Sequence, residues 1–139
     1  MSERDAILFA NSAFYTAFNM RDAAAMEEVW AKDKPVSCAH PGWAILYGRD
    51  DVMKSWRGIL KNPNAPKIHC HNERVENLGD VAIVTCIEDL NGRQFLAATN
   101  IFARHGSAWH LIHHHAGPAN VDPQSLEPSE DETPHGPVN

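Results

Sequence analysis

A histidine followed by a proline and a glycine, His40-Pro41-Gly42, is the sharpest candidate for chemistry in this sequence. An imidazole ordinarily has a pKa of about 6.5, so His40 could take up or release a proton near neutral pH. The proline and the glycine predict a turn, which would hold the histidine at a bend of the chain. The alternative is a structural role, in which the ring caps the turn by hydrogen bonding to the backbone. The motif leaves both roles open.

A second group of histidines lies in the segment 109–116, which reads as a strand. Alternation of side chains would place Trp109, Leu111, His113 and His115 on one face, and His110, Ile112, His114 and Ala116 on the other. A bulged turn at 105–107 could exchange the two sets. The alternative is that these histidines are half-buried strand residues whose nitrogens are satisfied locally.

Metal chemistry has to be considered because the chain holds nine histidines. The pairs His69/His71 and His113/His115 each share a strand face, and on neighbouring strands they could bind zinc. However, no cysteine or carboxylate lies at a recognised ligand spacing, so we predict no metal site and no cofactor. Cys70 lies between two histidines and is the one thiol with neighbours that could activate it.

Glu88 and Asp89 end an otherwise apolar strand. One of the two side chains must point to the inner side of the sheet, because neighbouring residues of a strand face opposite ways. A carboxylate there could orient a histidine in an acid–base pair. The alternative is a solvated strand end before the Asn91-Gly92 turn.

Three helical patterns precede four strand patterns. Apolar residues recur at helical spacing from Ser2 to about Asn19, after Asp22, and after Gly48. Extended segments are predicted at 36–39, 45–47, 67–76, 80–90, 93–104 and 108–116. This order predicts an α+β fold with helices packed on one face of an antiparallel sheet.

Composition limits the classes of function. Of the 18 acidic residues, five lie in 118–139, which leaves 13 acids against 12 bases in 1–117. A nearly neutral body of this kind lacks the basic surface that nucleic-acid binding needs. No apolar stretch is long enough to span a membrane, and three widely spaced cysteines suggest reduced thiols, so we expect a cytoplasmic protein. The acidic, proline-rich segment 118–139 is predicted to be disordered, and 1–117 to form one domain.

Several short strings, in this order and spacing, resemble the NTF2-like superfamily, especially its SnoaL-like and ketosteroid-isomerase-like branch. The resemblance covers roughly residues 4–117 and is carried by strings at 14–18, 21–23, 39–42, 47–50, 78–82 and 109–115. It implies a cone, in which a curved antiparallel sheet wraps around the N-terminal helices. It further implies a binding site at the open mouth and a homodimer formed through the outer face of the sheet. The fold hosts many reactions, so it does not name one.

The resemblance also implies where the site residues lie. His40-Pro41 matches the Asp–Pro pair that supplies the base in ketosteroid isomerases. The two oxyanion donors of those enzymes fall on Phe14 and Ala98, with Tyr15 expected to face elsewhere, so the chain does not look like a ketosteroid isomerase.

The same alignment favours His114 and Ile112 as facing the pocket. Asn100 and Phe102 join them, and His113 and His115 lie outside. Phe14, Trp56 and Trp43 would add aromatic walls suited to a flat ligand.

The sequence therefore predicts a domain that binds a small, largely apolar organic molecule. If it is an enzyme, it is an isomerase, dehydratase or cyclase that works by cofactor-free proton transfer. His40 would be the base, with His114 and Asn100 as proton donor or carbonyl partner. The alternative is a non-enzymatic homodimer that binds a ligand or serves association, because the last two strands also resemble the association domain of calmodulin-dependent kinase.

Overall fold

The computed structural model describes residues 1–128. The helices are α1 (Glu3–Asn19), α2 (Ala23–Val29) and α3 (Arg49–Lys61). The strands are β1 (Ser37–Ala39), β2 (Leu46–Tyr47), β3 (Ile68–Asn77), β4 (Val81–Leu90), β5 (Gln94–His105) and β6 (Ala108–Pro118). The type and order of these elements confirm the sequence prediction. In this part of the chain, no helix combines the length and the apolar character that crossing a bilayer requires.

Helix α1 is the element around which the sheet packs. Its N-terminus is capped as expected: the Ser2 hydroxyl accepts a hydrogen bond from the Asp5 amide at 3.0 Å, and Asp5 returns one to the Ser2 amide. Its buried stripe includes Ile7, Phe14 and Phe18, which follow the helical period. This stripe faces the inner side of the sheet, so residues of α1 form one wall of the interior.

The six strands form one sheet in the order β2-β1-β6-β5-β4-β3. Strands β3 to β6 are a meander of antiparallel hairpins, as predicted. The expectation of a wholly antiparallel sheet needs one correction, because β1 pairs with β6 in parallel. A parallel pair is possible here because the chain between β1 and β6 is long and includes α3 and the other strands. This pairing sets Cys38 beside His114 and Ala39 beside His115, and His40 is the residue that follows.

A β-bulge in β6 changes which of its side chains face inwards. The β5–β6 register shifts so that Ile101 pairs with His113 while Phe102 pairs with Leu111, which leaves Ile112 as the extra residue. Consequently Trp109 and Leu111 are buried before the bulge, and His114 and Ala116 after it. The alternation assumed along 109–116 is therefore wrong across Ile112, and the irregularity lies in the strand itself, not in the 105–107 turn.

The segment that follows residue 117 makes contacts with the sheet. Strand β6 runs to Pro118, and the Ala119 amide donates to the Phe95 carbonyl at 3.0 Å. Residues 120–127 then reach β3, where the His71 Nδ1–H donates to the Glu127 carbonyl and the Glu127 amide donates to Asn72. Backbone groups in 118–127 therefore find partners on the sheet, and the disorder of the tail stays a prediction. Residues 129–139 lie outside the described residues.

Candidate functional site

A cavity of about 210 Å³ lies between α1, α3 and the inner face of the sheet. Four of its lining residues carry ionisable side chains: Tyr15, His40, Glu88 and His114. The rest of its wall is apolar: Phe14, Phe18, Pro41, Trp43, Trp56, Ile59, Pro66, Ile68, Leu90 and Leu96. A wider groove of about 810 Å³ runs along the outer side of α1, but none of these four ionisable residues lines it. The smaller cavity is therefore the candidate site.

His40 reaches the cavity from the loop that follows β1. Its Nε2 lies 2.8 Å from the Ser55 hydroxyl, and that hydroxyl donates its own proton to the Val52 carbonyl at 2.7 Å. Ser55 can therefore only accept from His40, which places the imidazole proton on Nε2 and a lone pair on Nδ1. Burial lowers the pKa of His40 to about 4. The ring bonds to α3 and not to the backbone of its own turn.

His114 is held by a buried network of amides. The Asn100 side-chain nitrogen donates to the Asn11 amide oxygen at 2.9 Å and to the Tyr15 hydroxyl at 3.1 Å, which fixes the Asn100 oxygen as an acceptor. That oxygen lies 2.6 Å from His114 Nδ1, so Nδ1 carries the proton and Nε2 a lone pair. Burial, and then the nearby His40, lower the pKa of His114 to about 3.

Glu88 is the ionisable cavity residue that the sequence left ambiguous. Its side chain is 2% exposed and lies on the inner face of β4. It continues the series of alternate buried residues that includes Val84 and Cys86. Its carboxyl accepts a hydrogen bond from the Tyr15 hydroxyl at 2.7 Å and lies 4.0 Å from His114 Nε2. Burial raises the pKa of Glu88 to about 7, against the opposing effect of the Tyr15 hydrogen bond.

The position of Tyr15 is a correction to the sequence analysis. We expected it to face away from the pocket, yet it is 5% exposed and lines the cavity. Burial, and then the charge of Glu88, raise the pKa of Tyr15 well above its ordinary value. Two neighbouring helical residues can both face inwards here because the sheet curves around α1, so the buried arc of the helix includes Phe14 and Tyr15.

Three of the five predicted aromatic or apolar contacts line the cavity. Trp56 lies edge-on to Phe14 at 5.4 Å and to His40 at 4.6 Å between ring centroids, and Trp43 lies 4.8 Å from His40. Phe102 is fully buried in the core and Ile112 is the half-buried bulge residue, and neither lines the cavity. Asn100 lies behind His114, so it positions that ring without contacting the cavity.

The remaining candidates are separated from this site. The pairs His69/His71 and His113/His115 lie on β3 and β6, with β4 and β5 between them, so they do not sit on neighbouring strands. Within residues 1–128, no group of three or more His, Cys, Asp or Glu side chains is arranged to hold a metal ion. A hydrogen bond with Cys86, and then burial, raise the pKa of the Cys70 thiol, which disfavours a reactive thiolate.

The site thus combines two kinds of group around one apolar cavity. The histidines are neutral, and each has one ring nitrogen that can accept a proton, although burial makes both weaker bases than free imidazole. The Glu88 carboxyl changes protonation near neutral pH, which suits a group that gives or receives a proton.

Comparison with known proteins identifies relatives of this chain. A SnoaL-like domain model matches residues 7–120. An NTF2-like protein from Streptomyces avermitilis, described as a candidate dehydratase, is 30% identical over 86% of this chain and 97% of its own, with a TM-score of 0.77. A candidate association domain of calcium/calmodulin-dependent protein kinase type II from Thiobacillus denitrificans is 30% identical over 80% of this chain and 93% of its own, with a TM-score of 0.69.

One further relative is a longer protein. F-box protein SKIP8 from Arabidopsis thaliana is 32% identical over 123 residues, which are 87% of this chain and 53% of that protein. The chain therefore spans about half the length of this relative. The domain model covers most of the chain, and the fold predicted from the sequence is the one observed. The chain belongs to the family of SnoaL-like domains, within the NTF2-like superfamily.

Proposed function

We propose that the cavity binds a small organic molecule and that the chain catalyses proton transfer on it without a cofactor, as in an isomerisation, a dehydration or a cyclisation. The observation that carries this proposal is that His40, His114 and Glu88 line one cavity whose other walls are apolar. A water-poor site of this kind makes each proton transfer depend on the few groups present. The likeness to a candidate dehydratase supports the same class of reaction.

The hydrogen bonds of the site support the following roles. His40 Nδ1 holds a lone pair, since Nε2–H is bound to Ser55, so His40 removes a proton from the substrate. In an isomerisation the same imidazolium returns that proton to another atom of the substrate. In a dehydration, Glu88 delivers its proton to the departing hydroxyl, which leaves as water, and solvent restores both groups after product release. Asn100 is a positioning residue for His114.

Replacing His40 with glutamine tests the proposal, because the amide keeps a polar group near Ser55 and removes the base. We expect the wild-type protein to accelerate exchange of the α-hydrogens of cyclohexanone for solvent deuterium, measured by NMR. His40→Gln should lower that rate by about 10²–10⁴-fold. Lys54→Ala, an exposed change on α3, is the matched control and should leave the rate unchanged. Equal rates for wild-type and His40→Gln protein, with ketone bound to both, would contradict the assigned role.

A second candidate function is association, favoured by the outer face of the sheet. Ile83, Ile87 and Ile101 are partly exposed there, beside the partly exposed Thr99 and His113. An uncharged central face of this kind is typical of a surface covered by another chain. The association-domain relative supports the same use. We propose that two copies pair through this face.

Ile101→Glu tests this pairing, because it places a charge at the centre of the outer face. We expect wild-type protein to sediment as a dimer at micromolar concentration and Ile101→Glu to sediment as a monomer. Leu78→Glu is the control, since Leu78 is exposed at the β3–β4 turn and distant from this face. A wild-type protein that stays monomeric at all accessible concentrations would rule the pairing out.

A further inference from the structure

We propose that the cavity is selective for uncharged, single-ring compounds that present one hydroxyl or carbonyl oxygen to His40 and to the Glu88–His114 pair. This inference deepens the proposed function and rests on it only for the position of the polar end. Three properties of the cavity carry it: its charge, its size and the placement of its polar atoms.

The charge of the wall excludes ionised ligands. Within residues 1–128, none of the side chains that line the cavity belongs to Lys or Arg. Burial shifts the pKa of His40, of His114 and of Glu88 towards the neutral form in each case. A carboxylate or phosphate ligand would meet the same desolvation cost and find no cation to offset it.

The volume limits the ligand to about one ring. An apolar cavity of about 150 Å³ accommodates benzene. The cavity here, at about 210 Å³, leaves room for a ring with one or two small substituents. Trp43, which lines the cavity, is half exposed and lies edge-on to His40, so its indole meets both solvent and the cavity. Fused three-ring and four-ring compounds exceed this space.

The polar atoms cluster at one end. Among the cavity-lining groups, the lone pair of His114 Nε2 and the indole N–H of Trp56 remain without a hydrogen-bond partner. The Nδ1 lone pair of His40 faces the Cys38 thiol at 3.9 Å. The Glu88 carboxyl lies 4.0 Å from His114 Nε2. Phe14 packs 4.9 Å from the His114 ring, and Trp56 lies between the two histidines in contact with both. A ligand therefore has one site for an oxygen and aromatic surface for the remainder.

Binding of four probes to the whole chain tests the selectivity. Phenol, toluene, benzoate and 1-anthrol are titrated by NMR at about pH 6, where benzoate is ionised and Glu88 still holds its proton. We expect phenol to bind at least about tenfold more tightly than toluene, which lacks the oxygen, and than benzoate, which is charged. 1-Anthrol should show no binding. Benzoate binding as tight as that of phenol, or toluene binding as tight as that of phenol, would overturn the inference.

Two variants locate the bound probe. Ile59→Trp narrows the cavity from its half-exposed wall on α3 and should weaken phenol binding by more than about tenfold. Phe9→Ala alters only the wide groove outside α1, where Phe9 is 66% exposed, and should leave phenol binding unchanged. Loss of binding in Phe9→Ala, with binding retained in a folded Ile59→Trp, would place the ligand in the outer groove and overturn the inference.

The ligand selectivity and the proton transfer can be tested independently of each other. Selective phenol binding together with no deuterium exchange in cyclohexanone would sustain the ligand class and reject proton transfer. Deuterium exchange accelerated equally in a ring ketone that carries a carboxylate would reject the ligand class and sustain proton transfer.

Discussion

Asn100→Ala is expected to lower the free energy of unfolding by about 2–4 kcal/mol. The Asn100 side chain is fully buried and joins His114, Asn11 and Tyr15 through three hydrogen bonds. Alanine would leave the His114 Nδ1–H without an acceptor in a place that water does not reach, and a buried unpaired donor is costly. Urea unfolding at neutral pH measures the change.

Asn64→Ala is the matched control for this prediction, since Asn64 is exposed in the segment between α3 and β3. Its effect should stay within about 0.5 kcal/mol. A loss below about 1 kcal/mol in Asn100→Ala would show that another group satisfies His114. A second readout is the His114 ring itself: in the variant its Nδ1 proton should lose the NMR signature of a strong hydrogen bond, which a purely volumetric loss would not change.

Glu88→Gln is expected to remove a large pH dependence of stability. The pKa of Glu88 is raised by burial from 4.5 to about 7, so the folded state holds a proton that the unfolded state has already lost. The wild-type protein therefore has the full stabilisation below about pH 4.5 and loses it as the pH rises to about 7. At 1.36 kcal/mol per pKa unit, the loss amounts to about 3 kcal/mol. Glutamine keeps an acceptor for Tyr15 and does not ionise.

The measurement is the difference in unfolding free energy between Glu88→Gln and wild-type protein from about pH 4.5 to about pH 8. This difference should move in favour of the variant by about 3 kcal/mol and become constant above about pH 7. The depressed pKa values of His40 and His114 act in the opposite direction in both proteins, so they cancel in the difference. Glu76→Gln, an exposed change on β3, should give a flat difference. A flat profile for Glu88→Gln would mean that Glu88 is ionised in the folded protein.

Local patterns in the sequence were sufficient to predict the helices, strands and turns. The capping box at Ser2 and Asp5, the helical spacing that buries Ile7 and Phe18, and the Asn91-Gly92 turn each act within a few residues. Interactions at such short range depend on residue type and spacing alone, so they can be recognised without knowing the fold. For the same reason, His40 could be singled out from the turn that follows it.

These patterns could not predict which individual side chains face the interior. The bulge at Ile112 arises from the pairing of β5 with β6, and it lets Trp109 and Leu111 face inwards before it and His114 after it. Tyr15 and Glu88 meet only because α1 crosses the inner face of β4, 73 residues further along the chain. Contacts of the C-terminal segment with Asn72 likewise need β3 to be in place.

The sequence by itself determined the elements, the fold class and the choice of His40, because helical and strand periods, turns and residue types are local properties. The choice of His114 came from the family resemblance. The tertiary structure alone decided that Tyr15 and Glu88 join these two histidines and that Asn100 stands behind His114. It also decided that Phe102 and Ile112 lie elsewhere. The physical reason is that tautomers, burial and pKa shifts are set by partners distant in the chain, and these partners meet only when the sheet has curved around α1.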